Sequence, residues 1–269
     1  MGKVYVIISG KGGVGKTTSA INLGSILSTL GKEVIIVDAN LSTPNVGLHL
    51  GSPIVPITLN HVMKNKAKIE EAIYEHESGT KIMPASLSID EFKKINHSKL
   101  SNITRKLRKI SDNIILDSSA GLGREAKEAI KASDEIIIVT NPEMSAVTDA
   151  LKAIKIAENM NKNIKGCIIT RQEGKNYEMD LDSIKDMLEV PLLGVIPEDK
   201  SIKESQSMKN PVIITHPKSK ASKAYKKIAK RLLGKGDDDG EYLDLTEEDE
   251  KPKKPGFFAR LFGFGKKKQ

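Results

Sequence analysis

The chain has 269 residues, 38% of them hydrophobic, and a formal net charge of +8. That apolar share suits a folded globular chain and excludes global disorder, while a single cysteine, Cys167, excludes an internal disulfide and a one-chain zinc knuckle or iron–sulfur cluster. No run approaches the roughly 20 apolar residues that cross a bilayer, and no cleavage site follows the apolar start MGKVYVIISG, so neither a membrane span nor a secretory signal is expected.

In chain order, short β-rich blocks alternate with helical patterns. Val4–Ser9 leads through a glycine-rich stretch into a helical pattern over Thr17–Thr29. Strand-like blocks follow at Val34–Asp38, Lys81–Pro84, Asn113–Asp117, Glu135–Thr140, Gly166–Thr170 and Leu192–Ile196, with helical patterns over Glu125–Ala132, Ser145–Met160 and Asp182–Leu188. Most of the blocks are continuous Val, Ile and Leu rather than alternating, the signature of strands covered on both faces. Repeated βα units predict a doubly wound α/β fold, a mostly parallel sheet with helices on both sides. Cys167, inside CIIT, reads as a small buried apolar residue.

Charge and aromatics are unevenly placed. Lys218–Arg231 holds seven basic residues and no acid. Its apolar stripe, Ala221, Tyr225, Ile228 and Leu232, is expected to pack on the sheet. The lysines then form a solvated face, a lipid contact or a nucleic-acid contact. Beyond Leu233 the sequence turns Gly-, Pro- and acid-rich, predicting a body over 1–234, a flexible linker over 235–255 and a terminal element over 256–269.

Four of the five phenylalanines fall in that last element, GFFARLFGFGKKKQ. Phe257, Phe258, Leu261 and Phe262 recur on one helical face, Phe264 follows, and Arg260 and Lys266–Lys268 flank them. Such a segment is too short to span a bilayer but suits a helix lying in an anionic membrane interface. One copy should bind weakly. Two linked copies gain by multivalency, often about 10²–10⁴-fold. The alternative is docking of the phenylalanines on the body or on a protein partner.

The glycine-rich stretch, Gly10-Lys11-Gly12-Gly13-Val14-Gly15-Lys16-Thr17-Thr18, fits G-x-x-x-x-G-K-[ST] between a strand and a helix. Backbone N–H groups of such a loop cradle phosphate oxygens, and the following helix adds its positive end. Lys16 would reach the β- and γ-phosphates of ATP or ADP, and Thr17 would offer its hydroxyl to Mg²⁺. Asp38 and Asp117 each end an apolar strand, where carboxylates face the ligand crevice of an open α/β sheet and can serve the same cation.

With its second lysine, Lys11, the loop resembles the MinD/ParA family of deviant Walker A ATPases, whose signature is KGGxGK[TS]. The resemblance implies that Lys11 reaches a partner's nucleotide and that ATP closes a sandwich homodimer. Asp38–Asn45 is similar to the family's first switch segment and Asp117–Glu125 to its second. Asn40 departs from the pattern: many members carry aspartate there, associated with activating the attacking water. Asparagine orients water but accepts no proton, so slow basal hydrolysis is expected.

Further MinD-like segments follow in order: MPAS at Met83–Ser86, TNPE at Thr140–Glu143, ITR at Ile169–Arg171 and GVIPED at Gly194–Asp199. They imply that Arg171, Pro197, Glu198 and Asp199 lie beside adenine and that Asn141 is near the pocket; Asp149 either lies where relatives meet partners or is a solvated helix acid. The expected protein is a cytoplasmic ATPase that holds the membrane peripherally and reversibly, positioning a protein cargo or answering to an activator. A ParA-like DNA-partitioning ATPase using Lys218–Arg231, and a barely hydrolysing protein adaptor, are the alternatives.

Overall fold

The computed structural model describes residues 2–93 and 95–234. The elements run β1 (Lys3–Ile8), α1 (Lys16–Thr29), β2 (Val34–Asp38), α2 (Val46–His49), α3 (Leu59–Met63), β3 (Tyr74–Glu75), β4 (Lys81–Met83), α4 (Ile89–Phe92) and α5 (Leu100–Leu107). They continue as β5 (Asn113–Asp117), α6 (Arg124–Ala132), β6 (Glu135–Thr140), α7 (Met144–Asn159), β7 (Asn163–Gln172), α8 (Leu181–Leu188), β8 (Leu192–Pro197), α9 (Lys200–Ser207), α10 (Val212–Thr215) and α11 (Lys220–Leu232). The linker and the terminal element, with Phe257, Phe258, Arg260, Leu261, Phe262 and Phe264, lie outside the described residues.

Eight strands form one sheet in the order β3-β4-β2-β5-β1-β6-β7-β8. All described pairings are parallel except β3 with β4. Helices cover both faces, as the continuous apolar strands require. Because successive strand side chains point to opposite sides, Val4, Val6 and Ile8 of β1 join one core layer while Tyr5 and Ile7 join the other. The first layer packs on α5, α6, α7 and α8, through Ile103, Ile130, Ile154 and Ile184. The second packs on α1 and α11, through Leu23, Leu27, Tyr225 and Ile228. Each fully buried side chain of this size contributes about 1.5–3 kcal/mol. Cys167 is buried in β7, and burial pushes its thiol up to about 12.

The register places the site. β2 and β5 are neighbours, and Asp38 pairs directly with Asp117 at their carboxyl ends. The β1–α1 turn opens at the same end, because Ile7 of β1 is aligned with Asp117.

Candidate functional site: a phosphate-loop cleft

The β1–α1 turn needs glycine at two positions whose backbone is left-handed, Gly13 at φ 78° and Gly15 at φ 94°. Gly15 is the N-cap of α1, so the helix N-terminus opens on the turn. Val14 turns its side chain into the core, and its carbonyl accepts a hydrogen bond from Thr170 Oγ1 at 2.6 Å. Gly10 has a different role: a Cβ there would stand 2.2 Å from the Asp149 carbonyl oxygen, so the residue permits close approach of α7. Asp149 itself is paired with Lys152.

A cleft of about 410 Å³ lies over the turn. Gly12, Gly13, Gly15, Lys16, Thr17 and Thr18 form its floor, Asn40, Thr43, Asn45 and His49 one wall, and Ser118, Ala120, Arg171 and Gln206 the rest. Lys16 is buried, and its Nζ donates to Ser9 Oγ at 2.9 Å. Burial lowers its pKa, with Asp117 opposing that shift.

Asp38 and Asp117 are fully buried side by side. Asp38 is saturated by its own loop: Oδ1 accepts from the Asn40 amide at 3.2 Å, and Oδ2 from the Asn45 and Val46 amides at 2.8 and 2.9 Å. It thus pins the start of α2. Burial and Asp117 raise its pKa, and the three amides work against them. Asp117 Oδ2 accepts from Thr17 Oγ1 at 2.6 Å, while Oδ1 is buried with no partner. Burial lifts Asp117 to about 6, with the Thr17 hydroxyl and Lys16 restraining it.

Asn40 is turned into its own loop. Its Nδ2 donates to the Thr43 carbonyl at 2.5 Å, and its Oδ1 accepts from Thr43 Oγ1 at 3.0 Å. Ser42 Oγ donates to Glu125 Oε2 at 3.2 Å, so the Asp38–Asn45 loop is tied to the start of α6.

Lys11 is absent from the residues lining the cleft. Its ammonium is 3.0 Å from Glu143 Oε2 and 3.4 Å from Ser145 Oγ, at the exposed start of α7. Glu143 Oε1 accepts from Asn141 Nδ2, and the Lys11 hydrogen bond lowers the Glu143 pKa. Asn141 Oδ1 is buried and unpartnered. Glu143 was visible in TNPE, yet residue type alone does not show that it holds Lys11.

A side pocket of about 90 Å³ adjoins the cleft, lined in part by Arg171, Glu198, Asp199, Ile202, Gln206 and Tyr225. Arg171 stands at φ 56°, a left-handed conformation that a non-glycine residue rarely adopts and that clusters at ligand sites. Gln206 Nε2 donates to Thr18 Oγ1 at 3.1 Å and closes the wall. Gln206 escaped the sequence reading because nothing in the short helix α9 marks it. Pro197 is buried at the end of β8, outside the pocket lining.

Asp199 acts as a double cap. Its Oδ1 accepts from the Ser201 amide at 2.9 Å and its Oδ2 from the Ala221 amide at 3.0 Å, joining α9 to α11. Burial raises its pKa, but the Ala221 and Ser201 bonds outweigh it and hold the carboxyl low.

The model of the CobQ/CobB/MinD/ParA nucleotide-binding domain matches residues 5–212. The chain belongs to this family. An uncharacterized ATP-binding protein of Methanocaldococcus jannaschii is 37% identical over 234 residues, covering 87% of this chain and 89% of the relative. The septum site-determining protein MinD of Bacillus subtilis is 32% identical over 274 residues, 98% of each chain. In three dimensions, MinD of Pyrococcus horikoshii complexed with Mg-ADP superposes with a TM-score of 0.83 at 35% identity, covering 86% of this chain and 96% of that one. This chain carries a two-lysine loop and two buried carboxylates at neighbouring strand ends.

Proposed function

We propose that this chain is a slow, MinD-like ATPase: ATP closes a homodimer, the dimer holds the membrane through residues 256–269, and hydrolysis releases it. The division of labour between the two lysines carries this reading. Lys16 sits in the cleft floor, where it would meet the phosphates, whereas Lys11 stands outside its own cleft on an exposed edge. In the proposed dimer it would leave Glu143 and Ser145 to reach a nucleotide held by a second copy.

The residues present fit Mg²⁺ with a nucleotide. Asp117 Oδ1 is an unpaired buried acceptor, the Thr17 hydroxyl lies against the same carboxylate, and Asp38 is adjacent. A cation held by these few groups would complete its shell with water and phosphate oxygens. Bound Mg²⁺ would neutralise charge between the β- and γ-phosphates. Glycine-loop amides and the α1 N-terminus receive the phosphates. Arg171 and Gln206 line the wall toward the side pocket, which we assign to the base.

Asn40 sets the rate. It takes no proton from water, and its amide group is engaged by Thr43. The switch therefore dwells in its ATP form, and a partner that dislodges the Asn40–Thr43 contacts would shorten the dwell. The names of the MinD relatives support a role in positioning proteins at the division site. No helix of the described residues is long and apolar enough to cross a membrane.

Steady-state ATP hydrolysis by Asn40→Asp tests the catalytic part. The aspartate should raise turnover by about 10²-fold, at the low end of what a positioned general base supplies. Vesicle sedimentation with ATP and with ADP tests the membrane part: retention that ignores the nucleotide refutes the switch.

A further inference from the structure

Helix α11 has two faces of opposite character. Ala221, Ala224, Tyr225, Ile228 and Leu232 are buried in the core layer shared with α1. At about 100° per residue, Lys220, Lys223, Lys227 and Lys230 fall at i, i+3, i+7 and i+10, within an arc of about 80° opposite that stripe. The helix carries no Asp or Glu. None of these four ammonium groups has a hydrogen-bond or ion-pair partner among the described residues. Some lysines elsewhere on the body find acids, as in Lys81–Glu33, Lys152–Asp149 and Lys155–Glu158; the α11 row is distinguished by four such groups aligned on one acid-free helix.

The other basic residues of the helix have backbone partners: Arg231, half-buried, donates from Nη1 to the Leu193 carbonyl at 2.7 Å, and Lys226, exposed, from Nζ to the Pro217 carbonyl at 3.2 Å. The four-lysine row itself is ammonium alone, and Tyr225, the helix's aromatic residue, is buried. The row lacks the arginine forks and aromatic platforms that read bases or hold single strands; sequence-independent duplex contact, which point charges also make, is an outcome of the test. A straight row of four point charges, about 15 Å long, suits a surface whose negative charge is diffuse, which is the field of an anionic lipid leaflet.

We propose that the Lys220–Lys223–Lys227–Lys230 row is a second membrane contact, on the ATPase body itself, that binds anionic headgroups electrostatically. The inference rests on the proposed membrane reading for its target, but it concerns different residues from the Phe-rich terminal element. It assigns the side of the body that meets the bilayer: α11 faces the lipid, while its buried stripe packs in the core layer shared with α1.

The test is sedimentation of the full chain with phosphatidylglycerol–phosphatidylcholine vesicles and with pure phosphatidylcholine vesicles, in ATP and in ADP, over a salt series. Two variants are compared with the parent: K220Q/K223Q/K227Q/K230Q and F257D/F262D. Circular dichroism and ATP binding establish that each is folded; K223Q/K227Q replaces the quadruple variant should that one fail. The lysine variant should bind anionic vesicles about 30-fold or more weakly at low salt and lose most of the salt dependence. The phenylalanine variant should keep a residual, salt-sensitive attraction to anionic vesicles only.

Lysine-variant binding equal to that of the parent overturns the inference and leaves the proposed function standing. Loss of duplex-DNA binding with vesicle binding unchanged also overturns it, making the face a nucleic-acid contact. A phenylalanine variant that binds as the parent does, with the lysine variant impaired, upholds the inference and refutes the terminal element. Parent protein that ignores anionic vesicles in both nucleotides overturns both.

Discussion

Replacing Asp117 by asparagine should make the ligand-free protein more stable while disabling its site. Burial lifts the Asp117 carboxyl from 3.8 to about 6. A shift of about two pH units corresponds to about 3 kcal/mol. Between those two values the folded chain keeps a proton that the unfolded chain has lost, so wild-type stability falls as pH rises through the window and the full penalty stands above pH 6. Asparagine is nearly isosteric, stays neutral, and still offers Thr17 Oγ1 an acceptor, so at most about 1 kcal/mol is forfeited there. The net expectation at pH 8 is a gain of about 2 kcal/mol, or a melting point higher by about 4–8 °C. At pH 4, where Asp117 is itself protonated in the folded state, the gain should vanish. Urea unfolding of both proteins at pH 8 and pH 4, free of nucleotide and magnesium, measures this directly. A variant no more stable than wild type at pH 8, or a gap that persists at pH 4, refutes the reasoning. The same variant should lose magnesium-dependent nucleotide affinity, since the unpaired Oδ1 is the acceptor assigned to the cation's shell.

Gly10→Ala should destabilise the fold by about 1–3 kcal/mol through overpacking, because its Cβ would stand 2.2 Å from the Asp149 carbonyl oxygen; urea unfolding reads it. Asp199→Ala removes acceptors from two helix starts, and a cost of about 1–2 kcal/mol is expected, together with weaker binding of a fluorescent adenine nucleotide. Tyr225→Phe deletes the Tyr225 Oη–Ser19 Oγ contact of 3.2 Å and should cost about 1 kcal/mol in thermal or urea unfolding. Lys11→Ala should leave the ATP affinity of a single protomer unchanged by calorimetry, since Lys11 does not line its own cleft.

Much of this architecture was legible because buried parallel strands write themselves as apolar blocks. Val34–Asp38, Asn113–Asp117 and Glu135–Thr140 were read to the residue. β7 runs beyond its apolar core to Asn163 and Gln172, since its polar ends pair by backbone hydrogen bonds that leave no mark on hydropathy. β3, two residues long, was missed for the same reason. Helix α9 leaves little hydropathy signal because it buries only Ser201 and Ser205, whereas α5 buries Leu100, Ile103 and Leu107 at helical spacing and was legible though not read. In the site, the loop and the strand-end aspartates were legible because their chemistry demands a fixed spacing. Their environments were not. The amides saturating Asp38, the Thr43 contacts engaging Asn40, and the Glu143 contact holding Lys11 arise from loop geometry and long-range approach.

Sedimentation velocity of the wild type and of Lys11→Ala, each with ATP and with ADP in the presence of magnesium, tests the central claim most directly. A wild type that is dimeric with ATP and monomeric with ADP, beside a Lys11→Ala variant that binds ATP and stays monomeric in both, is the predicted result. A wild type of one size in both nucleotides, or a Lys11→Ala variant that dimerises with ATP as well as the parent, contradicts it.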